Sequence, residues 1–243
     1  YGNAFTENTL PVNERGIYAG ISIRPANGWR LEAYADLYHF PWLRYLADAP
    51  GGGADYLVQL SYSPTRMASI YTRYRSGSHQ ANEPDNQTVT NGLAWIRKRN
   101  WRTHVSFKLN RDWELRARTE IMWYNRRARD EEEGFLSFFD LLYHPMRQPY
   151  SGSFRIQFFE TEGFNSRIYA FENDVPYQYS IPGYYDRGIR LYLNLGLDIG
   201  PKWSCWFRGA ITHYTGKMSS GTGLDAIKGS KRSEIRLQAR YIL

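Results

Sequence analysis

The sequence lacks several features that would assign it to common classes of protein. No run of eighteen apolar residues occurs in its 243 positions, which excludes a transmembrane helix. The single cysteine, Cys205, cannot form an internal disulfide, and its alternation with Trp203 and Phe207 indicates a small apolar residue on a strand face. Tyr1 to Phe5 lack the basic start and apolar stretch of a secretory signal, so an exported protein would be present here as a mature or partial form.

Aromatic residues are abundant, at 16%, and three segments place them in the same pattern. Each segment has a tight polar turn, then a Trp, then about ten alternating residues that end in an aromatic residue or His. The segments run from Trp29 to His39, from Trp113 to Trp123 and from Trp203 to His213. A strand of ten residues at about 3.3 Å each, tilted by about 45°, spans about 24 Å, which matches the apolar band of an outer-membrane barrel.

The alternation separates two strand faces of opposite chemistry. From Trp113 to Tyr124 one face is apolar, while the other carries charged residues. A soluble β-barrel or sandwich has the same period, but the aromatic ends of the apolar face and the alternation of tight turns with long polar loops favour a membrane barrel. The predicted membrane girdle consists of Trp29, Trp101, Trp113, Trp123, Trp203 and Tyr241. The predicted lumen-lining residues are Arg30, Glu32, Asp36, Arg73, Arg102, His104, Lys108, Glu114, Arg116, Arg118, Glu120, Arg190, Asp198, Arg208, Arg236 and Arg240.

The pattern predicts an all-β protein, an antiparallel transmembrane β-barrel of outer-membrane type. About eleven strands can be recognised, at 16–24, 29–39, 54–63, 67–75, 96–109, 113–125, 134–143, 152–160, 188–199, 203–214 and 233–243. Tight periplasmic turns are expected at 25–28, 64–66, 110–112, 145–151 and 200–202. Long extracellular loops are expected at 40–53, 76–95, 126–133, 161–187 and 215–232, with a hairpin of 167–171 and 177–181 extending above the membrane.

An odd number of strands conflicts with the even number that single-chain bacterial barrels have. The conflict predicts either a barrel of about twelve strands or the C-terminal part of a larger one, with upstream strands favoured. Residues 1–13 are polar and turn-rich, so we assign them to a lead-in segment and 14–243 to the barrel.

Several loop segments resemble the C-terminal outer-membrane β-barrel portion of the helix-hairpin-helix domain-containing proteins of Gram-negative bacteria, a family of uncharacterised function. The resemblance lies in 8–25, 40–50, 62–66, 171–175, 180–185 and 221–229. It implies a barrel at the C-terminus of a longer polypeptide. No helix-hairpin-helix segment is present in this sequence, so a DNA-related role is not transferred, and the resemblance supplies no catalytic residues.

The search for catalytic and metal-binding residues gives weak candidates. A lipid-modifying enzyme would need a Ser beside a His and an orienting group, for which Ser78, His79 and Asn82 are the best set, although a solvated loop is the stronger interpretation. His104, His144 and His213 lie far apart along the chain, so no metal site is predicted. No cofactor is predicted either.

Two loops and one basic cluster suggest partners. The acidic run at 130–133 could bind a divalent cation, but a solvated loop is the stronger interpretation. Phe40 to Tyr45 is apolar for an extracellular loop and could plug the lumen, enter the outer leaflet, contact another outer-membrane protein or simply pack. The basic cluster of Arg97, Lys98 and Arg99 with Arg102 is expected to face acidic lipopolysaccharide. The other basic residues are dispersed, so this portion is not expected to bind nucleic acid.

These observations predict an integral protein of the bacterial outer membrane that is not an enzyme and serves as a scaffold or partner subunit. A porin-like conduit is the main alternative, and a lipid-modifying enzyme is a third. A charge introduced at Leu193 or Ile121 is expected to cost about 2–4 kcal/mol, whereas a charge at Asn194 or Glu120 should be tolerated.

Overall fold

The computed structural model describes residues 13–83, 91–126, 130–216, 219–220 and 227–242. No helix in this part of the chain is long and apolar enough to cross a membrane. Of the predicted lead-in segment, residues 1–13, Asn13 alone lies within the described ranges. The strands are β1 (Arg15–Ile23), β2 (Trp29–Phe40), β3 (Gly51–Thr65), β4 (Ala68–Asn82), β5 (Leu93–Lys108), β6 (Trp113–Arg126), β7 (Asp130–Tyr143), β8 (Tyr150–Thr161), β9 (Ile168–Tyr169), β10 (Gly183–Tyr184), β11 (Arg187–Ile199), β12 (Trp203–Tyr214), β13 (Ser219–Ser220), β14 (Ile227–Lys228) and β15 (Lys231–Tyr241).

Eleven long strands form one antiparallel sheet in which each strand pairs with its neighbours along the chain. The order is β1-β2-β3-β4-β5-β6-β7-β8-β11-β12-β15, and the short strands form two separate pairs, β9 with β10 and β13 with β14. All eleven long strands occur where the alternation predicts them, because the period of two depends only on neighbouring residues.

Some predicted loops are wrong because strand pairing continues past the apolar band. β4 extends to Asn82 and pairs with the first residues of β5, so 76–82 is strand and not loop. β7 begins at Asp130, so the acidic run at 130–133 is strand and not loop. Polar strand residues are stable there because the backbone hydrogen bonds of the ladder do not depend on the lipid.

The tight turns have the chemistry that their backbone requires. The Asn110 side-chain oxygen accepts hydrogen bonds from the backbone N–H groups of Asp112 and Trp113, at 2.8 and 2.9 Å, and thereby orders the turn before β6. Gly28 has a φ of 79°, a left-handed conformation that residues with a Cβ rarely adopt, immediately before the first Trp of β2. The connections at this end of the sheet have at most six residues, and we call it the turn end; the opposite end is the loop end.

The strand register divides the sheet into two continuous faces. Glu120 faces Leu136 across β6 and β7, Arg155 faces Asp140 across β7 and β8, and Arg190 faces Gln157 across β8 and β11. These residues are buried, and we call their side of the sheet the inner face. The opposite side, the outer face, carries exposed aliphatic and aromatic residues, including Leu193 and Ile235.

The outer face carries aromatic residues at the positions that the sequence predicts for a girdle. At the turn end, Trp29 stacks on Tyr62 with ring centroids 4.3 Å apart, and the ring centroids of Trp203 and Tyr241 are 4.9 Å apart. Trp101 and Trp123 are displaced toward the loop end. By register the predicted girdle residues all lie on the outer face: Trp29, Trp101, Trp113, Trp123, Trp203 and Tyr241.

Within the described residues, β1 pairs only with β2 and β15 pairs only with β12. Arg15 opens β1 opposite His39 at the loop end, and Lys231 opens β15 opposite His213 at the same end. The two outermost strands therefore run in the same direction.

Candidate functional site

Residues 162–186, between β8 and β11, fold back onto the inner face of the sheet, and we call them the inserted segment. The prediction that this region extends above the membrane is therefore wrong. Its two short strands pair with each other. Ile168 and Tyr184 pack against Leu136 and Phe159 of the eleven-stranded sheet, which we call the wall, and form a buried apolar cluster. Burial of these apolar side chains favours packing of the segment against the wall over exposure to solvent.

The start of the inserted segment is held by Glu132 of β7. One Glu132 carboxylate oxygen accepts hydrogen bonds from the backbone N–H groups of Asn165 and Ser166, at 2.9 and 3.0 Å, and the other accepts one from the Asn165 side chain at 2.8 Å. The acidic run that the sequence presents as a solvated loop thus contributes a side chain that orders a turn.

Two wall arginines bind backbone carbonyl groups of the inserted segment. Arg118 donates to the carbonyl oxygen of Tyr169 at 3.0 Å, and Arg155 donates to that of Phe171 at 2.6 Å. Arg155 also binds Asp140 through two hydrogen bonds of 2.5 and 2.6 Å and lies 3.6 Å from the centroid of the Phe138 ring. The segment's backbone therefore satisfies donors that would otherwise be buried without a partner.

Glu172 is the centre of the site and is fully buried. Arg190 donates two hydrogen bonds to its carboxylate, at 2.7 and 3.0 Å, and Arg208 donates another. The Tyr184 hydroxyl adds a hydrogen bond of 2.5 Å. A carboxylate buried with two guanidinium groups and a phenol is a fixed ion pair network and not a solvated side chain.

The ionisation of this cluster follows from its contacts. Burial alone would raise the pKa of Glu172, but the hydrogen bond and charge of Arg190, with the charge of Arg208, lower that pKa below its ordinary value. Burial raises the pKa of Tyr184 well above its ordinary value, and the negative charge of Glu172 adds to the effect. Glu172 is therefore ionised and Tyr184 is neutral at physiological pH.

The residues after Glu172 continue the attachment toward the turn end. The carbonyl oxygen of Asn173 accepts hydrogen bonds from Asn194, at 2.8 Å, and from Arg208. Asp174 pairs with Arg236, which also lies 2.7 Å from Glu234. Three wall arginines, Arg190, Arg208 and Arg236, thus meet three carboxylates, Glu172, Asp174 and Glu234, so the cluster is close to neutral.

The tip of the inserted segment nearly reaches the turn end. Arg240 donates to the Tyr177 hydroxyl at 3.4 Å, level with Ser204 at the start of β12. From Arg190 to Asp198, which is opposite Ser204, β11 advances eight residues, or about 26 Å. A cavity of about 330 Å³ remains between the tip and Trp206. The segment therefore lines the wall over most of its height.

The register places every predicted lumen residue on the inner face. These are Arg30, Glu32, Asp36, Arg73, Arg102, His104, Lys108, Glu114, Arg116, Arg118, Glu120, Arg190, Asp198, Arg208, Arg236 and Arg240. Of these, Arg118, Arg190, Arg208, Arg236 and Arg240 contact the inserted segment through side-chain hydrogen bonds or ion pairs.

The other predicted lumen residues form smaller clusters along the wall. Glu120 pairs with Arg118 and with Arg102, whose Nε lies 2.9 Å away, and Glu114 pairs with Arg116 at 2.7 Å. His104 stacks on Tyr71 with centroids 5.4 Å apart. Near β1 the pairs are more exposed: Arg30 with Glu32 at 2.7 Å, and Arg73 with Gln59 at 2.7 Å.

Sequence reasoning missed Asp140, Arg155, Glu172 and Asp174. A signal existed for Arg155, which alternates with Ser153 and Gln157 on a predicted strand and so must face inward. No comparable signal marked Glu172 or Asp174, because residues of an irregular segment have no period that fixes their direction.

The candidate enzyme residues are not arranged for catalysis. Ser78 and His79 are consecutive residues of β4, so their side chains point to opposite faces of the sheet. The Asn82 side-chain oxygen accepts a hydrogen bond from the backbone of Asp48 at 2.8 Å. Among the described residues, no group of three or more His, Cys, Asp or Glu side chains is placed to hold a metal ion.

The apolar loop that begins at Phe40 is divided between the inside and the surface. Phe40 is buried, and the Arg44 guanidinium lies 4.4 Å from the centroid of its ring. Trp42 and Tyr45 are 70% and 91% exposed. Backbone hydrogen bonds between Arg44 and Ala47 close the turn, so the exposed side chains are presented on an ordered backbone.

Comparison with known proteins identifies the architecture. No family model matches the chain, and no curated protein matches it. Among solved structures, the copper transporter OprC superposes with a TM-score of 0.53 and 8% identity over 94% of this chain and 43% of its own. CdiB from Acinetobacter baumannii superposes with a TM-score of 0.50 and 12% identity over 95% of this chain and 44% of its own. Both are outer-membrane β-barrel proteins.

The chain has the fold of an outer-membrane β-barrel. The predicted fold class is confirmed. The chain spans less than half the length of these two structures. At these identities the likeness concerns the fold alone.

Proposed function

We propose that this chain is an integral protein of the bacterial outer membrane that acts without catalysis, as a scaffold or partner subunit of a membrane assembly. The observation that carries the proposal is the inserted segment, which lines the inner face from β6 to β15, from the loop end almost to the turn end. A wall covered in this way is suited to rigidity and not to passage of solutes along it. Ion pairs such as Arg190 with Glu172 hold the segment in place.

The exposed part of the Phe40 loop supports the partner role. Trp42, Leu43 and Tyr45 present apolar area on an ordered turn, which is the usual property of a contact surface. We propose that a second outer-membrane protein covers them. Changing Trp42 and Tyr45 to Ser should then lower the native mass of the detergent-extracted assembly, while the mobility shift of the folded barrel on heating is retained. An unchanged native mass would contradict this surface.

A conduit is the second candidate, and a specific observation favours it. The inner face of β1 to β4 is not covered by the inserted segment, and a groove of about 490 Å³ runs past Tyr18, Glu32, Gln59 and Arg73. One of the solved structures with a similar fold is named as a copper transporter, which makes transport a function that this architecture supports elsewhere. Polar solutes would pass along this groove and not along the covered wall.

Single-channel conductance in a planar bilayer separates the two functions. The scaffold proposal expects the purified protein to insert and remain electrically silent. As a matched pair, Glu172→Gln loosens the covered wall, whereas Glu32→Gln changes a carboxylate on the uncovered wall. Stable ohmic steps in the unmodified protein would overturn the scaffold proposal, and a change of ion selectivity with Glu32→Gln would assign the path to the uncovered groove.

A further inference from the structure

Two arginines of β5 point away from the barrel interior at the loop end. Arg97 and Arg99 lie on the outer face, in the same alternating series as Trp101, and both are exposed. Lys98, between them, points inward and lies 5.6 Å from the centroid of the Tyr124 ring. The basic cluster that is continuous in the sequence is therefore divided, and only two of its charges face the surroundings of the barrel.

The height of these arginines relative to the membrane follows from the girdle. Arg99 is paired in register with Trp123, and Trp101 is paired with Ile121 two residues closer to the turn end. Trp113 and Trp123 are ten residues apart on β6, which corresponds to about 23 Å along the membrane normal at a tilt of about 45°. Arg99 thus lies at the edge of the apolar band, and Arg97 lies one step beyond it, at the level of lipid headgroups.

The two guanidinium groups differ from other arginines at the loop end in their ion pairing. Within the ranges that the structure describes, neither Arg97 nor Arg99 forms an ion pair, unlike Arg187, another outer-face arginine at the loop end, which lies 3.7 Å from Glu160. Exposed cations that border an apolar band and lack internal partners are available to anionic headgroups. The spacing of two residues along one face separates the arginines by about 7 Å.

The neighbouring strands determine on which side an anion would bind. On β4, Ser76 is paired with Arg99 and Ser78 with Arg97, so two hydroxyl groups lie beside the arginines on the same face. On the other side, Glu131 and Glu133 of β7 are separated from β5 by β6, about 10 Å away, and one Glu131 oxygen accepts a hydrogen bond of 2.5 Å from Asn125. Among the described residues, the β4 partners of the two arginines in the register are hydroxyl donors and not carboxylates. Arg99 also borders a polar pocket lined by Glu131, Glu133 and Glu162, so the β7 side is unfavourable for an anion.

We propose that Arg97 and Arg99, with the hydroxyl groups of Ser76 and Ser78, form a binding site on the outer face for the phosphate groups of lipopolysaccharide. Guanidinium groups bind phosphate through paired N–H donors, and the Trp101 ring beneath them contacts the acyl region. This inference rests on the proposed function, because it takes the loop end to face the outer leaflet. It assigns Ser78 to lipid binding, although its place beside His79 in the sequence suggests a nucleophile.

The test measures binding of purified lipopolysaccharide to the full chain in detergent. The double variant Arg97→Gln with Arg99→Gln should weaken the apparent Kd by about tenfold, and Ser76→Ala with Ser78→Ala should weaken it by about two- to threefold. Arg187→Gln is the matched control and should leave the Kd unchanged, because that arginine already has a partner. Dephosphorylated lipopolysaccharide should bind the unmodified protein and the double variant equally, and inorganic phosphate at about 10 mM should not compete.

Three results would overturn the inference. The double variant could bind as tightly as the unmodified protein, Arg187→Gln could weaken binding as much as the double variant, or inorganic phosphate could displace the lipid and reveal a simple anion site. Bilayer insertion is measured in parallel for each variant. Failure to insert would count against the proposed function, whereas normal insertion without selective lipid binding would count only against this site.

Discussion

The inner face has one half that the inserted segment covers and one half, β1 to β4, that it leaves uncovered, and the charged residues of the two halves have different environments. On the covered half, Arg155 and Asp140 have side chains that are 3% and 2% exposed, and Glu172 with Arg190 is comparably buried. On the uncovered half, the side chains of Arg30 and Glu32 are 49% and 33% exposed. Both halves alternate charged with apolar residues, so the strand pattern alone does not determine the burial of the charges. On the covered half the inserted segment does, and it makes residues such as Arg155 more costly to change than Arg30 and Glu32.

The largest effect is expected at the centre of the covered half. Glu172→Gln leaves the Arg190 and Arg208 guanidinium groups buried without their carboxylate, which should lower the free energy of unfolding by about 3–5 kcal/mol. Glu32→Gln removes an exposed partner of Arg30 and should change the free energy of unfolding by at most about 1 kcal/mol. Urea unfolding from phospholipid vesicles measures both. Similar losses in the two variants would contradict the distinction between the halves.

A charge on the outer face should be the next largest perturbation. Val58→Arg places a guanidinium in lipid and should cost about 2–4 kcal/mol, depending on its depth. Gln59→Lys, at the next residue, points into the uncovered groove and should insert normally. If both variants insert equally well, the assignment of the faces to lipid and interior is wrong.

The same comparison corrects an expectation made from the sequence. A new charge at Asn194 or Glu120 should not be tolerated, because Asn194 binds the backbone of Asn173 and Glu120 is buried between Arg102 and Arg118. On the covered half, both faces of a strand are therefore sensitive, whereas at residues 58 and 59 of the uncovered half only the outer-face position is. An insertion assay of Asn194→Arg beside Gln59→Lys tests this difference.

Removal of the Tyr184 hydroxyl should have a smaller effect. Tyr184→Phe deletes one hydrogen bond to an ionised carboxylate and should cost about 1.5–3 kcal/mol. The ring, which packs in the apolar cluster, is unchanged, so the loss should appear as faster proteolysis of the inserted segment before global unfolding. Tyr34→Phe on the uncovered half is the control, and equal proteolysis of the two variants would show that the hydroxyl does not hold the segment.

The smallest effect on attachment of the inserted segment is expected from a moderate decrease of the pH. The pKa of Glu172 is lowered in the folded protein, so its contribution to stability is complete above the ordinary glutamate pKa of about 4.3 and is lost as the pH falls through the folded pKa. Attachment of the inserted segment should therefore be constant from pH 7 to about 5 and weaken only below about 4. Hydrogen exchange of residues 168–174 measures this, and release already near pH 6 would contradict the role of Glu172.

The sequence predicted the sheet well and the site poorly, for a physical reason. In a strand such as β6, the alternation of apolar and polar residues identifies the two faces. Trp113 and Glu114 could therefore be assigned to opposite sides without knowledge of their partners. Glu172 meets Arg208, which is 36 positions away, and nothing local to either residue indicates the contact. The wall arginines were predicted to face inward, but whether they would meet water or a carboxylate depends on the path of one irregular segment.

The direction of the two outermost strands has a consequence for the geometry of the complete ring. Since β1 and β15 both run from the loop end to the turn end, hydrogen bonding between them would create one parallel seam in an otherwise antiparallel sheet. A ring that is antiparallel throughout needs an odd number of additional strands between these two edges, whichever polypeptide supplies them. Its circumference, and with it the diameter available beside the covered wall, can therefore increase from this sheet only in steps of two strands, beginning at twelve.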